Sequence, residues 1–322
     1  MNVDLLVDNI TNPALLFFFL GVLAVFLKSD LSIPENSSKF ISIYLLFSIG
    51  FKGGQELSHS HLGAEIFVIL SFGVILTLLV PLYTFFILKQ RLGVENAGAI
   101  AAAYGSVSAV TFVTCVSFLE MKSIPFGGHM VAVMAIMEAP SIIIGMILFS
   151  MFKKDSNGPS FSIRKITTHS LTNGSVLLIL GSLVIGFLAN EQQAQGIAPF
   201  TTDIFKGFLA VFLLDMGIVS GRKLSALCKH GTFPFVFAIV IPLINGIAVA
   251  FISQLITSEP GDRLIFAILA ASASYIAVPA AMKLAIPKAN PGLYIPMALA
   301  ITFPFNITLG IPIYLWVIQS FV

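Results

Sequence analysis

Charged residues are scarce in this 322-residue chain. Asp, Glu, Lys and Arg make up 10% of it, against about 25% in ordinary soluble domains. This scarcity argues against any soluble domain. Hydrophobic residues make up 57% of the chain, and the mean hydropathy is +0.99. The apolar runs are of helical length and lack the alternation of outer-membrane barrel strands, so they predict an all-α integral membrane protein.

Residues that carry enzyme chemistry are also few. The two cysteines, Cys115 and Cys228, are not spaced as metal ligands or as a disulfide framework. A membrane-embedded enzyme, such as a lipid-modifying transferase, generally needs clustered acids or a His-led acid–base pair, and the apolar segments hold neither. We therefore expect a protein that is not an enzyme, with no nucleic-acid partner and no cofactor or metal apart from Na+ as a coupling ion.

Apolar segments separated by polar breaks predict ten membrane spans. Their approximate bounds are 9–27, 38–56, 62–88, 96–120, 124–152, 171–189, 203–221, 232–256, 264–286 and 291–321. Loops that follow odd-numbered spans hold thirteen of the seventeen Lys and Arg residues, and the other side holds four. Because basic residues concentrate in cytoplasmic loops, we expect a protein of the inner (plasma) membrane with both termini outside.

The two halves of the chain carry the same pattern. Landmarks recur at nearly constant offsets: Ser106 and Ser272 (166), Gly50 and Gly217 (167), Pro140 and Pro304 (164). Two copies with an odd number of spans each must insert in opposite orientations, as in many secondary transporters. The predicted organisation is a first inverted repeat over 1–152, a cytoplasmic linker over 153–170 and a second repeat over 171–322.

Each half contains a short, hydroxyl-rich interruption of an apolar segment, in spans 4 and 9. Within hydrocarbon, backbone leaves the helix only where protein or a water-filled cavity satisfies the freed groups. Breaks at Gly105 and Pro279 would aim half-helix N-termini, which carry partial positive charge, at the middle of the bilayer. Close helix packing through small residues is the alternative. The candidate substrate-binding residues are Gly105, Ser106, Ser108, Ala109, Thr111, Ser272, Ala273, Ser274 and Tyr275.

Two acids lie deep inside predicted spans, Glu138 and Asp215. A charge at that depth costs about 3 kcal/mol and is therefore usually functional, as a cation ligand or a proton carrier. A structural role, in which the acid bonds to a neighbouring helix, is the alternative, and the role of Asp215 stays open. Hydroxyl and carbonyl oxygens suit sodium, so the candidate sodium ligands are Ser108, Thr111, Glu138, Ser274, Thr302 and Asn306.

At these residues the chain resembles the sodium-dependent bicarbonate transporter family, nearly from end to end. The resemblance is most specific in residues 273–281, in 301–306 with 310–312, and in 50–54. It implies a ten-helix inverted repeat with a gate of spans 1, 2, 6 and 7 and a core of spans 3–5 and 8–10, usually assembled as a homotrimer. It also implies that bicarbonate and sodium bind between the two interruptions. Many members are inhibited by a PII-like regulatory protein on the cytoplasmic face.

The chain departs from the family pattern at the interruption itself. Where bicarbonate carriers typically read Ser-Gly-Ser-Thr, this chain reads Ser108-Ala109-Val110-Thr111, so methyl groups replace one hydroxyl. The prediction is a sodium-coupled symporter of a small anion, with bicarbonate as the first choice, working by alternating access. The alternatives are a sodium/proton or organic-anion carrier on the same scaffold, and a receptor that binds its ligand without moving it.

Overall fold

A computed structural model describes residues 3–59, 63–153, 174–227 and 230–320. Within these ranges the regular structure is entirely helical, as predicted from composition. The first half contains α1 (Val3–Ile10), α2 (Pro13–Phe26), α3 (Glu35–Ser58), α4 (Ala64–Gly105), α5 (Ala109–Met121), α6 (His129–Met137) and α7 (Pro140–Phe152). Except for Lys153, the predicted linker lies outside the described residues, and so does Cys228.

The second half begins with two helices joined by a capping box at Asn190, α8 (Gly174–Leu188) and α9 (Glu191–Ala198). A π-helical turn over Pro199–Asp203 leads to α10 (Phe205–Leu227). The remaining helices are α11 (Thr232–Ile252), a 3-10 turn (Ser253–Leu255), α12 (Pro260–Ala271), α13 (Ala277–Ala285), α14 (Pro291–Pro296), α15 (Phe303–Phe305) and α16 (Ile311–Ser320). Two π-helical stretches, Met297–Thr302 and Asn306–Gly310, join the last three helices.

Five helical stretches of the described chain are long and apolar enough to cross a membrane. They are Glu65–Met121, His129–Phe152, Glu191–Leu224, Thr232–Leu255 and Pro291–Ser320, and two further apolar helices, α2 and α8, are shorter. The first stretch contains Gly93 at φ 80° and ψ 164°, a backbone conformation that favours glycine. α4 therefore consists of two helices that meet at Gly93, and the stretch continues beyond Gly105 into α5. The count of ten spans stays a prediction.

Two pairs of helices in the described chain pack along each other, α2 with α10 and α3 with α8. These four helices, which belong to the spans predicted to form the gate, are called the gate group here. Glycines permit both close crossings: a Cβ on Gly21 would collide with the Leu214 carbonyl, and one on Gly54 with the Leu183 carbonyl. α4–α7 and α11–α16 form the core group, in which α4 packs against α7 and α11 against α12. The core group contains both interruptions.

Candidate functional site

The first interruption joins α4 to α5. α4 ends at Gly105, and Ser106 is extended, with φ −87° and ψ 177°. Ser108 is the N-cap of α5, and its hydroxyl oxygen accepts a hydrogen bond from the Thr111 amide at 3.2 Å. Serine is favoured at this position because it satisfies one of the free N–H groups of the first turn. The remaining amides at the start of α5 give this end of the helix its partial positive charge.

The second interruption joins α12 to α13 and lies earlier in the chain than predicted. α12 ends at Ala271 and α13 begins at Ala277, so the break precedes Pro279. Pro279 instead sits in the first turn of α13, where its missing N–H removes no helical hydrogen bond. The Ser274 hydroxyl accepts a hydrogen bond from the Val278 amide at 3.4 Å. Both half-helices thus begin beside a serine.

The two interruptions bind each other directly. The Ser108 amide donates to the Ser272 hydroxyl at 3.0 Å, and the Ser274 amide donates to the Ala103 carbonyl at 2.9 Å. All four residues are buried. The point where the two interruptions meet is called the crossing here. Its hydrogen bonds hold the N-terminal ends of α5 and α13 close to each other in the core group.

Carbonyl groups near the breaks accept hydrogen bonds from side chains of neighbouring helices, in the case of Ala102 in addition to the bond from the Ser106 amide. Asn306 donates to the Ala271 carbonyl at 2.8 Å, and Ser141 donates to the Ala102 carbonyl at 3.1 Å. Thr302 bonds to Tyr104 and to a backbone carbonyl, at 2.8 and 2.7 Å. Such bonds are required because unpaired backbone groups are costly in hydrocarbon. Thr302 and Asn306 are therefore engaged in holding the broken helices.

A small cavity of about 30 Å³ lies beside the crossing. From the core group, the polar residues Ser108, Ser274 and Glu138 line it, together with Ala109 and Tyr275. Val110 also faces it, so methyl groups form part of the wall, as its position in the sequence suggests. The volume suits one small ion or about one water molecule. Of the other predicted site residues, Gly105, Ser106, Thr111, Ser272 and Ala273 lie buried beside this cavity without lining it.

Three polar groups near the cavity lack protein partners among the described residues. The Glu138 carboxylate faces the cavity and forms no hydrogen bond or ion pair there, although its backbone carbonyl accepts from the Ser106 hydroxyl at 3.0 Å. The hydroxyls of Thr111 and Tyr275 are buried and unpaired. Buried polar groups are normally satisfied, so an unpaired carboxylate and hydroxyl indicate a site for a ligand.

A vestibule of about 750 Å³ adjoins the cavity, lined by described residues of the gate helices α3, α8 and α10 and by Ile276 of the core group. Ser42, Leu46, Ser175, Phe212 and Ile276 line both spaces. Ile276 is 53% exposed and lies where the two meet. The far end of the vestibule is lined by Glu35, Lys39 and Gly174, on the side that the basic residues predict to be cytoplasmic.

On the opposite side the two groups touch. Gly128, at the start of α6, lies so close to α3 that a Cβ there would collide with the Gly53 carbonyl. Lys52 of α3 forms an ion pair with Glu120 of α5, and both side chains are partly exposed. A separate cavity of about 230 Å³ lies beside this pair. Among the described residues, the gate and core groups are thus in contact on this side of the site, and the vestibule adjoins the other side.

Asp215 lies within the gate group. It is 5% exposed and accepts a hydrogen bond from the hydroxyl of Ser38, which links α10 to α3. It does not line the cavity. Among the described residues, no three His, Cys, Asp or Glu side chains cluster as metal ligands would.

Sequence reasoning missed the residues that the gate group contributes to the cavity, including Ser42 and Ser175. Neither stands in a repeated motif. The available signal is helical spacing: Lys39, Ser42 and Leu46 share one face of α3, and that face lines the vestibule.

Two broken helices that cross within an apolar bundle, beside a small polar cavity, are the architecture of a membrane transporter. The sequence matches the family model of the Na+-dependent bicarbonate transporter superfamily over residues 13–319, and the chain belongs to that superfamily. It is a multi-pass membrane protein of a transporter family, not of an enzyme class. No curated protein matches the sequence.

Proposed function

We propose that this protein is a sodium-coupled symporter of a small anion, with bicarbonate as the first choice of substrate. The observation that carries the proposal is the cavity where Ser108 and Ser274 begin two half-helices beside the unpaired Glu138 carboxylate. Helix N-termini attract anions, and a carboxylate with hydroxyl oxygens suits a sodium ion. The cavity has room for one small ion, and the adjoining vestibule gives the second ion space next to the same groups.

The coupling follows from the charges at this site. No Lys, Arg or His that the structure describes lines the cavity, so an anion there depends on backbone amides and on a bound cation. We propose Glu138, Ser108, Ser274 and the unpaired Thr111 hydroxyl as the sodium-binding groups. Sodium would offset the charge of Glu138 and so permit the anion to bind. Thr302 and Asn306 support the site by holding the ends of the broken helices.

We infer that the chain is an inverted repeat of ten spans, and hydrogen bonds at equivalent positions support this. The Asn96 side chain accepts from the Asn290 amide at 2.9 Å, and the Asp262 side chain accepts from the Gly127 amide at 2.7 Å. Asn96 and Asp262 are 166 positions apart, the same offset as Ser106 and Ser272. Each repeat thus holds a loop of the other in the same way.

Transport by alternating access would move the core group against the gate group. The open vestibule on the predicted cytoplasmic side and the Gly53–Gly128 contact on the other correspond to an inward-facing state. The inner-membrane location, the outer termini, the homotrimer and the PII-like partner remain predictions from charge distribution and family resemblance.

The test is uptake of labelled bicarbonate into proteoliposomes, with and without an inward sodium gradient. We expect accumulation that depends on sodium and is lost in Ser108→Ala, because that change removes the hydroxyl at the start of α5. Ser320→Ala, which removes an exposed hydroxyl at the end of α16, is the matched control. Sodium-independent flux, or none, would contradict the proposal.

The unpaired Glu138 carboxylate also favours a second candidate, a sodium/proton carrier. Its signature is proton movement driven by sodium in the absence of bicarbonate, measured with a pH-sensitive dye trapped inside the same vesicles. Proton flux without bicarbonate uptake would favour this carrier over the symporter.

A further inference from the structure

The gate group supplies a polar group to the ion cavity that the sequence motifs do not include. Leu45, Leu46 and Phe212 make most of the gate wall apolar, and Ser42 and Ser175 add hydroxyls. A ligand that fills about 30 Å³ must touch this wall as well as Ser108 and Glu138 on the core side. The oxygens of an anion held by the core amides would therefore face the gate group.

Ser42 does not bond to its own helix backbone as several other hydroxyl residues do. The Ser48 hydroxyl on the same helix is also unpaired, but it does not line the cavity. Thr84, Thr114 and Ser320 each donate to the carbonyl four residues earlier, at 2.6, 2.9 and 2.8 Å. This is the usual arrangement for a helical hydroxyl in apolar surroundings. Ser42 forms no hydrogen bond with any residue that the structure describes, although it is half-buried and lines the cavity. Its hydroxyl is left without an acceptor at the edge of the proposed site.

We propose that Ser42 contacts the transported anion and donates a hydrogen bond to it in the state seen here. This inference rests on the proposed function. An anion oxygen against Leu45, Leu46 and Phe212 alone would lose its water without compensation, which is costly. Ser42 supplies the missing donor from the gate wall. The anion then contacts both the gate group and the core group, which must move relative to each other during transport. Ser42 therefore helps to select the anion, and it favours the inward-facing state with the anion bound.

Thermal unfolding of the purified full-length protein in detergent tests the contact without requiring transport. The ligands are the sodium salts of bicarbonate, nitrate, acetate and sulfate. The variants are Ser42→Ala, Ser42→Thr and the control Ser48→Ala. Ser48 lies on the same helix, is buried and does not line the cavity. We expect the anion that stabilises the wild type to bind about tenfold more weakly to Ser42→Ala, equivalent to about 1.4 kcal/mol. Ser42→Thr, which keeps the hydroxyl, and Ser48→Ala should bind it as the wild type does.

The outcomes separate this inference from the proposed function. Equal anion affinity in Ser42→Ala and wild type would overturn the contact while leaving the symporter intact. Weakened binding of an anion other than bicarbonate would support the contact and remove bicarbonate as the substrate. If none of the four anions stabilised the wild type, both the contact and the anion site would be wrong.

Discussion

Glu138 and Asp215 are alike in sequence, since each is an acid within an apolar segment, but their surroundings differ. Glu138 faces the cavity unpaired, whereas Asp215 bonds to Ser38 between two gate helices. We expect Glu138→Gln to raise the sodium concentration for half-maximal transport about tenfold or more, because a charged ligand is lost while the shape is kept. Sodium titration of bicarbonate uptake in proteoliposomes measures this change.

Asp215→Asn is the matched control for that measurement. It makes the same chemical change in the gate group, outside the cavity, and should leave the sodium dependence unchanged. If both variants shifted the sodium dependence equally, a specific sodium ligand at Glu138 would be contradicted. If Glu138→Gln kept the sodium dependence but lost sodium-driven proton flux, the carboxylate would be a proton carrier instead.

At the scale of helices, the contact between α3 and the core group on the closed side has a testable role. Lys52 and Glu120 join the two groups, and their side chains are 30% and 25% exposed. An ion pair at this exposure contributes at most about 1 kcal/mol, or about a fivefold change in the population of the closed state. We expect Lys52→Glu and Glu120→Lys each to favour opening on this side, and the double variant to restore closure.

Labelling of Val110→Cys from outside the vesicle reports that opening. The background replaces Cys115 and Cys228, and the reagent is a maleimide that does not cross membranes. Each single variant should be labelled up to about five times faster than the parent, and the double variant at the parent rate. Identical rates in all four proteins would show that this ion pair does not control access.

The interruptions show what sequence could and could not predict. Repeated small residues predicted both breaks and brought Ser108 and Ser274 into the candidate set, and Glu138 entered it as an acid inside an apolar span. The structure places these three at one cavity. The second break lies before Pro279 because proline fits the first turn of a helix as well as it ends one. The sequence also predicted Asn306 as a sodium ligand. In the structure its side-chain amide donates to the Ala271 carbonyl. The sequence does not distinguish an amide that bonds to backbone from one that binds an ion.

For the whole molecule, composition was sufficient for the all-helical class, and the constant offset between halves predicted related packing. The contribution of the gate group to the cavity was not predictable. Ser42 reaches it only because α3 passes the crossing of two helices that are distant in sequence. Such a contact depends on tertiary packing, which leaves no local pattern.

The shortness of α2 has a consequence for the surrounding lipid. With 14 residues between its caps at Asn12 and Leu27, this helix is about 21 Å long, against about 30 Å of hydrocarbon in a typical bilayer. Its outward face is apolar, with Leu23 and Phe26 strongly exposed. A bilayer that meets this face must become thinner beside the gate group, at a cost that grows with the mismatch.

Acyl-chain length should therefore regulate transport. We expect sodium-dependent bicarbonate uptake to be fastest in vesicles of lipids with short chains and to fall steadily as the chains lengthen, at equal protein incorporation. A rate independent of bilayer thickness would mean that residues beyond the ends of α2 extend the span by other means. Otherwise transport depends on membrane thickness through this short helix of the gate group.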